Sequence, residues 1–248
     1  MPCLNGASCT PKGEDFQCDC LNGFTGRRCE IKTTFNFQKK GHWIIPNSGE
    51  LESIDLGFRT NVDGLLFVLT STAVSKLAIY IHDGKIVLKQ DSHTGTYQTV
   101  RKLSATNNQW HQLHVTFSGS QVLIVLDQHN EQTYNNYNLI DFNSIIVGGN
   151  DNQTAPNYAG CMQDLTINHE ILLESDGTHT GVSFGDCAKT DQCSGNPCNG
   201  RGICVDEWVS LKCNCFRQYF GERCQFGTYF FEFYFFQKKK ADFSLIKA

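Results

Sequence analysis

No cysteine lies between Cys29 and Cys161, although the chain has thirteen in its 248 residues. That gap excludes a molecule built wholly of small disulfide-stapled units, because so long a stretch must bury a core of its own. Nowhere do the roughly 20 apolar residues of a membrane-spanning helix run together. The nearest approach, Phe226 to Phe236, is about half that length and carries Glu232. The start, Met1-Pro2-Cys3, shows neither a basic region nor an apolar one, so no secretory signal is visible. Basic residues are scarce: net charge is −4, and residues 34–186 hold eight Lys and Arg against fifteen Asp and Glu. An average field of that sign argues against nucleic acid or other polyanions as partners.

Catalytic signatures are missing too. There is no G-x-S-x-G, no H-E-x-x-H and no phosphate-cradling glycine loop. His111 and His114 are three apart on an apparent strand, so they face opposite sides and cannot chelate one metal. Trp110 and His111 read as structural strand residues, and Gly148-Gly149 as a turn. No catalytic residue is assigned, and an enzyme is not expected.

The cysteines that are present fall in blocks: five by Cys29, two at Cys161 and Cys187, and six from Cys193 to Cys224. Such blocks require an oxidising compartment. With no visible signal, this leads to the expectation of a segment from a longer secreted or membrane-anchored protein. The ends, at about 30 residues each, are too short to fold without staples. The middle alternates apolar and polar residues in short runs. Leu77, Ile79 and Ile81 alternate, Asp83-Gly84 supplies a hairpin turn, and Ile86 and Leu88 resume. Val122–Leu126 and Ile145–Val147 read as core strands, and no helix of ten or more residues is evident. The pattern predicts an all-β sandwich or jelly roll.

The last block runs C-x4-C-x5-C-x8-C-x-C-x8-C from Cys193. Six cysteines allow fifteen pairings. A zinc site fits poorly, since the block has no histidine. The C-x-C step followed by a loop with Gly221 near its end resembles the epidermal-growth-factor-like (EGF-like) domain. That resemblance implies Cys193–Cys204, Cys198–Cys213 and Cys215–Cys224. The first block shares the rhythm, with Cys18-Asp19-Cys20 and then Cys29. Aligned on that step, the resemblance implies Cys3–Cys18 and Cys20–Cys29. It leaves Cys9 unpaired, its counterpart expected upstream of Met1; a free thiol or an intermolecular bridge is the alternative.

Calcium-binding EGF-like domains carry acidic residues before the first cysteine and C-x-[DN] after the third. Asp191, Gln192 and Asp206 match and form a candidate calcium set, whereas Lys189 and Leu211 replace two expected residues. Calcium takes six to eight oxygens, and only part of that set is present. In the first block Pro11 stands at the equivalent position, while Ser8 and Thr25 match O-fucose and O-GlcNAc patterns.

Landmarks in the middle resemble the laminin-G domain: Phe58-Arg59-Thr60, Gly64-Leu65-Leu66-Phe67, Trp110-His111, Val147-Gly148-Gly149 and Tyr158-Ala159-Gly160-Cys161-Met162-Gln163-Asp164-Leu165. The family pairs its last two cysteines, which implies Cys161–Cys187. Many laminin-G domains bind calcium at one rim through an aspartate before the strand equivalent to Leu77–Ile81. Here Ser75-Lys76 stands there, and Asp91 and Asp151 read as solvated loop residues. Asn152-Gln153-Thr154 is a sequon for N-glycosylation.

The expected organisation is a truncated EGF-like domain at 1–30, a laminin-G-like domain at 34–187, an EGF-like domain at 189–225 and an unassigned tail at 226–248. The tail reads as the stub of a membrane anchor or a non-native end. This order occurs in Crumbs, neurexins, Slit, agrin, eyes-shut and Fat cadherins. Asp206-Glu207-Trp208 and Arg217-Gln218-Tyr219-Phe220-Gly221 look most like the Crumbs family. That resemblance implies a non-catalytic adhesion segment at the extracellular face of the plasma membrane, or a secreted one. Its partner would be an extracellular or cell-surface protein, homophily included, with no cofactor required and calcium as the candidate ion.

Overall fold

The computed structural model describes residues 2–46, 49–70, 77–90, 96–99, 104–128, 130–135, 142–149 and 156–227. The chain divides into two compact units, Met1–Ala188 and Lys189–Ala248.

The first unit holds an N-terminal cysteine-stapled module and a large β-domain. The β-domain strands are β1 (Thr34–Pro46), β2 (Ser53–Arg59), β3 (Gly64–Thr70), β4 (Leu77–His82), β5 (Lys85–Gln90), β6 (Thr96–Thr99) and β7 (His111–Ser118). They continue as β8 (Gln121–Leu126), β9 (Asn130–Tyr134), β10 (Ser144–Val147), β11 (Gly160–Ile167), β12 (Glu170–Ile171) and β13 (Thr178–Phe184). The only helical turn among the described residues is Glu174–Asp176.

All thirteen strands belong to one sheet, ordered β6-β5-β4-β3-β10-β1-β11-β2-β7-β8-β9, with β12 on β11 and β13 on β1. Strand β1 is the seam. Its end, Trp43–Pro46, pairs with β10, and its start, Thr34–Phe37, pairs with β11. Between them Lys40 takes a φ of 69°, opposite a register shift in β13 between Thr180 and Val182. One long strand thus serves both halves of a curled sheet, which is how a single ladder becomes a sandwich.

The core lies within the curl. Strand β7 alternates, with His111, Leu113, Val115 and Phe117 inward and the intervening residues more exposed. Phe35, Phe37, Trp43, Phe58, Phe67 and Tyr158 are fully or almost fully buried. Their rings meet edge to face, Phe35 with Trp43 at 5.3 Å and Phe37 with Tyr158 at 5.7 Å. Such contacts contribute about 0.5–1.5 kcal/mol beyond the area they bury. Strands β3, β4 and β5 are buried on both faces, because Leu65, Val68, Ala78, Tyr80 and Val87 form a second cluster behind the core. That accounts for the near-continuous apolar run Leu65–Leu69, where a one-sided sheet would alternate. The hairpin at Asp83-Gly84 has both φ angles positive, 49° and 68°, as a twist-matched two-residue turn requires.

Gly148-Gly149, read from sequence as a turn, does more than reverse the chain. Gly148 has φ +82°, and a Cβ there would lie 2.2 Å from the Phe37 ring. The aromatic core closes against this backbone. Trp110 is a correction to the sequence reading. The strand begins only at His111, and Trp110 stands outside it, 37 % exposed.

In both small modules the strand after the last cysteine belongs to the module. Phe24-Thr25 pairs with Ile31-Lys32, and Tyr219-Phe220 pairs with Phe226-Gly227. The expected ends at 30 and 225 therefore fall two residues short. At the second, the Phe220 and Phe226 rings lie 5.4 Å apart and hold the pairing. The remainder of the tail, 228–248, lies outside the described residues.

Candidate functional site

A principal contact of the N-terminal module with the β-domain is built around Asp164. Strand β11 shifts register between Gln163 and Thr166, and within the shift Asp164 adopts a φ of 52°. The bulge turns its carboxylate out of the ladder. Both carboxylate oxygens accept from the Gly23 N–H, at 3.0 and 2.9 Å, and Oδ1 also accepts from the Thr33 hydroxyl at 2.5 Å. The Asp164 N–H donates to the Thr33 carbonyl at 3.3 Å, and the Thr33 N–H donates to the Gly23 carbonyl at 2.9 Å. Gly23 has φ +87°, and a Cβ there would lie 2.8 Å from the Thr34 hydroxyl, so the backbone approach needs glycine. The joint is a closed ring of hydrogen bonds around one charge.

Beside the joint lies an open groove of about 430 Å3, lined by Ile31, Thr33, Phe35, Leu172, Leu173 and Phe184 among others. At its edge Lys32 pairs with Asp186 at 2.8 Å, with side chains 47 % and 80 % exposed. A pair that open contributes about 0–1 kcal/mol. Cys161–Cys187 spans 26 residues and ties the segment after β13 to β11. A loop of that size stabilises by about 3 kcal/mol in the chain-entropy model.

The remaining bridges are Cys3–Cys18, Cys20–Cys29, Cys193–Cys204, Cys198–Cys213 and Cys215–Cys224. Cys9 is a free thiol, half-buried opposite Cys18 in its hairpin. Ser8 is exposed, with its hydroxyl 3.5 Å from Asp19 Oδ2, and Thr25 is half-buried in the short strand pair. Ser75, Lys76, Asp91, Asp151 and the sequon at Asn152 lie outside the described residues.

The candidate calcium set of the second unit is brought together only in part. Asp206 Oδ1 accepts from the Trp208 N–H at 2.8 Å, and Oδ2 accepts from the Gln192 N–H at 3.4 Å. Asp191 points elsewhere and caps the Cys193 N–H at 2.9 Å. Lys189 places its ammonium 3.1 Å from Asp206 Oδ2, both side chains being 16 % exposed. The same ammonium lies 5.3 Å from the centroid of the Trp208 ring, and Trp208 is 3 % exposed. Burial raises the Asp206 pKa, but the Lys189 ammonium and the Trp208 and Gln192 N–H groups outweigh it, leaving it below the usual value of 3.8. A calcium ion about 4 Å from that ammonium would meet a repulsion of roughly 8 kcal/mol at an effective dielectric constant of about 20. The donors present do not fit the metal.

Each histidine of β7 has its own aspartate. His111 Nδ1 lies 2.7 Å from Asp127 Oδ2, and Nε2 faces the Asn107 amide oxygen at 2.9 Å. A His–Asp pair of this kind orients a base, yet the second nitrogen faces an amide where a nucleophilic hydroxyl or thiol would be needed. His114 bonds Asp55 through Nδ1, and its Nε2 lies 3.0 Å from the Thr116 hydroxyl. Asp63, His82 and Asp83 bring their ligand atoms within 4.8 Å of one another. The Asp63 carboxylate is already engaged by the Asp83 and Gly84 N–H groups at 2.7 and 3.0 Å, bracing the hairpin. Sequence reasoning missed the joint made by Asp164. Its signal was an acidic residue embedded in an apolar strand motif.

The laminin G domain family model matches residues 58–170, and the EGF-like domain model matches residues 1–28. Protein crumbs homolog 1 of Mus musculus is 27 % identical over 246 residues, covering 84 % of this chain and 17 % of that protein. Cadherin EGF LAG seven-pass G-type receptor 2 of Homo sapiens is 24 % identical over 248 residues, covering 90 % of this chain and 8 % of the receptor. Protocadherin Fat 4 of Mus musculus is 22 % identical over 257 residues, covering 86 % and 5 %. The chain therefore spans less than a fifth of the length of these relatives. Among solved structures, domains LG4-5 of the mouse laminin alpha1 chain superpose with a TM-score of 0.53 at 13 % identity, over 65 % of this chain and 48 % of that one. The LG1-3 region of the laminin alpha2 chain gives 0.52 at 18 % identity, over 64 % and 36 %. Both likenesses concern the fold.

Proposed function

We propose that this chain, which matches the laminin G and EGF-like domain models and is similar to protein crumbs homolog 1, is a non-catalytic recognition segment of a Crumbs-like modular protein. It acts at the extracellular face of the plasma membrane, as part of a larger cell-surface protein that serves apical polarity and cell–cell contact in epithelia. The observation that carries this reading is the joint at Asp164, which fastens the N-terminal module to the β-domain. Fastened modules present a fixed surface, and a fixed surface loses little conformational entropy when a partner binds. The Nε2 of His111 faces the Asn107 amide oxygen where a hydroxyl or thiol would be needed, which supports a structural role for the His111–Asp127 pair. The partner is an extracellular or cell-surface protein, a second copy included.

The test is competition. Dissociated epithelial cells reaggregating in the presence of the soluble oxidised chain should form smaller aggregates than in buffer. Aggregates of unchanged size at saturating chain would count against an adhesive role. A calcium-dependent glycan or receptor binder, as the resemblance to agrin and neurexins suggests, is the second reading. It predicts that the competition disappears when calcium is chelated.

A further inference from the structure

In the C-terminal module a half-buried carboxylate is set where the calcium type of EGF-like domain holds its ion, yet the cation beside it is a side chain. Asp206 stands two residues after the third cysteine of its module, and Lys189 stands where that type carries an earlier acidic ligand. The Lys189 ammonium lies 3.1 Å from Asp206 Oδ2 and over the face of the buried Trp208 ring. Both Asp206 oxygens also receive backbone N–H groups, from Trp208 and Gln192. The Gln192 side-chain amide donates to the Trp208 carbonyl at 3.3 Å, using a backbone oxygen that a metal could otherwise take. Asp191 is committed to the Cys193 N–H. Positive charge, its counter-charge and the surrounding donors are all supplied by the chain.

We propose that the Lys189 ammonium is the resident cation of this module and that its leading segment, Lys189 to Gln192, is held to Asp206 and Trp208 without calcium. The contact has three parts: an ion pair at hydrogen-bond distance, a cation over an aromatic face, and backbone N–H groups converging on the same carboxylate. Replacing the ammonium by a carboxylate would restore an acidic ligand and leave two negative groups facing each other, an arrangement that only a cation relieves. The inference concerns metal dependence of one module and stands apart from which surface meets a partner.

The experiment is hydrogen exchange on the full oxidised chain, read at the Gln192 and Trp208 amides, in millimolar calcium and in chelator. Reading at these amides separates this module from any calcium site in the β-domain. The wild-type chain should show equal protection in both conditions. Lys189→Met should lose protection by about tenfold in both, the effect of one hydrogen bond of ordinary strength. Lys189→Glu should lose it in chelator and regain it with calcium. Wild-type protection that rises with calcium would overturn the proposal, and so would Lys189→Met exchanging like wild type or Lys189→Glu indifferent to calcium. Non-reduced peptide mapping of each variant shows whether the three bridges have formed. The wild-type comparison decides the matter even where a variant misfolds.

Discussion

Replacing Asp164 by alanine should loosen the N-terminal module from the β-domain. The carboxylate accepts from the Gly23 N–H and the Thr33 hydroxyl. Hydrogen bonds to an ionised acceptor contribute about 1.5–3 kcal/mol each. Alanine would also have to hold the left-handed φ of 52° at this bulge, at a further cost of roughly 1 kcal/mol. The two bonds share one carboxylate and do not add fully, so the expected loss is about 3–5 kcal/mol. Asp164→Asn separates charge from geometry. Asparagine tolerates the left-handed region and keeps one oxygen for Gly23, so its cost should be about 1 kcal/mol. Hydrogen exchange at the Gly23 amide is the direct assay, with urea unfolding of the oxidised chain beside it. A loss of about 3 kcal/mol appears as a more than hundredfold faster exchange at Gly23. Protection in Asp164→Ala within about threefold of wild type would refute the joint, because an unbonded and loosened N–H cannot retain it.

Further outcomes follow from single contacts. Gly148→Ala should destabilise the β-domain by about 1–3 kcal/mol in urea, since a Cβ there strikes the Phe37 ring and φ is +82°. An unchanged midpoint would mean the backbone does not close on that ring. Tyr158→Phe should cost about 1–2 kcal/mol, because the hydroxyl lies 2.9 Å from the Cys161 carbonyl and accepts from the Arg59 N–H at 3.2 Å. Burial raises the Tyr158 pKa well above 10.0, so a spectrophotometric titration should leave one phenol un-ionised until the domain unfolds. The Asp206 carboxyl titrates below 3.8 when folded. Its contribution is therefore complete above pH 3.8 and is lost as pH falls through the folded value. Trp208 amide protection that collapses well above pH 3.8 would contradict this.

The all-β class was legible because period-two alternation survives wherever a strand has one wet face, as at His111–Ser118. It failed to distinguish strands from one another where both faces are covered, as at Leu65–Leu69, since burial erases the alternation. The family resemblance was carried by short landmarks, and some of these have a visible physical reason in the structure. Gly148 meets Phe37, Tyr158 is bonded to Arg59, and Cys161 is bridged to Cys187. Asp164 lay inside one of those landmarks without revealing its role, because a bulge that rotates one carboxylate leaves no periodic trace. Lys189 was visible as a departure from the calcium pattern. That it replaces the ion, rather than merely weakening the site, required the 3.1 Å contact with Asp206. Phe226 was set apart by composition alone, while its ring contact with Phe220 places it in the module.

The claim that this chain recognises a cell-surface partner is tested most directly by adhesion of coated beads to the apical face of an epithelial sheet. Beads carrying the oxidised chain should adhere above beads carrying a reduced and alkylated chain, and should do so in chelator as well as in calcium. Equal adherence of the two bead types would contradict the recognition role. Adherence seen only with calcium would transfer the activity to the calcium-dependent reading.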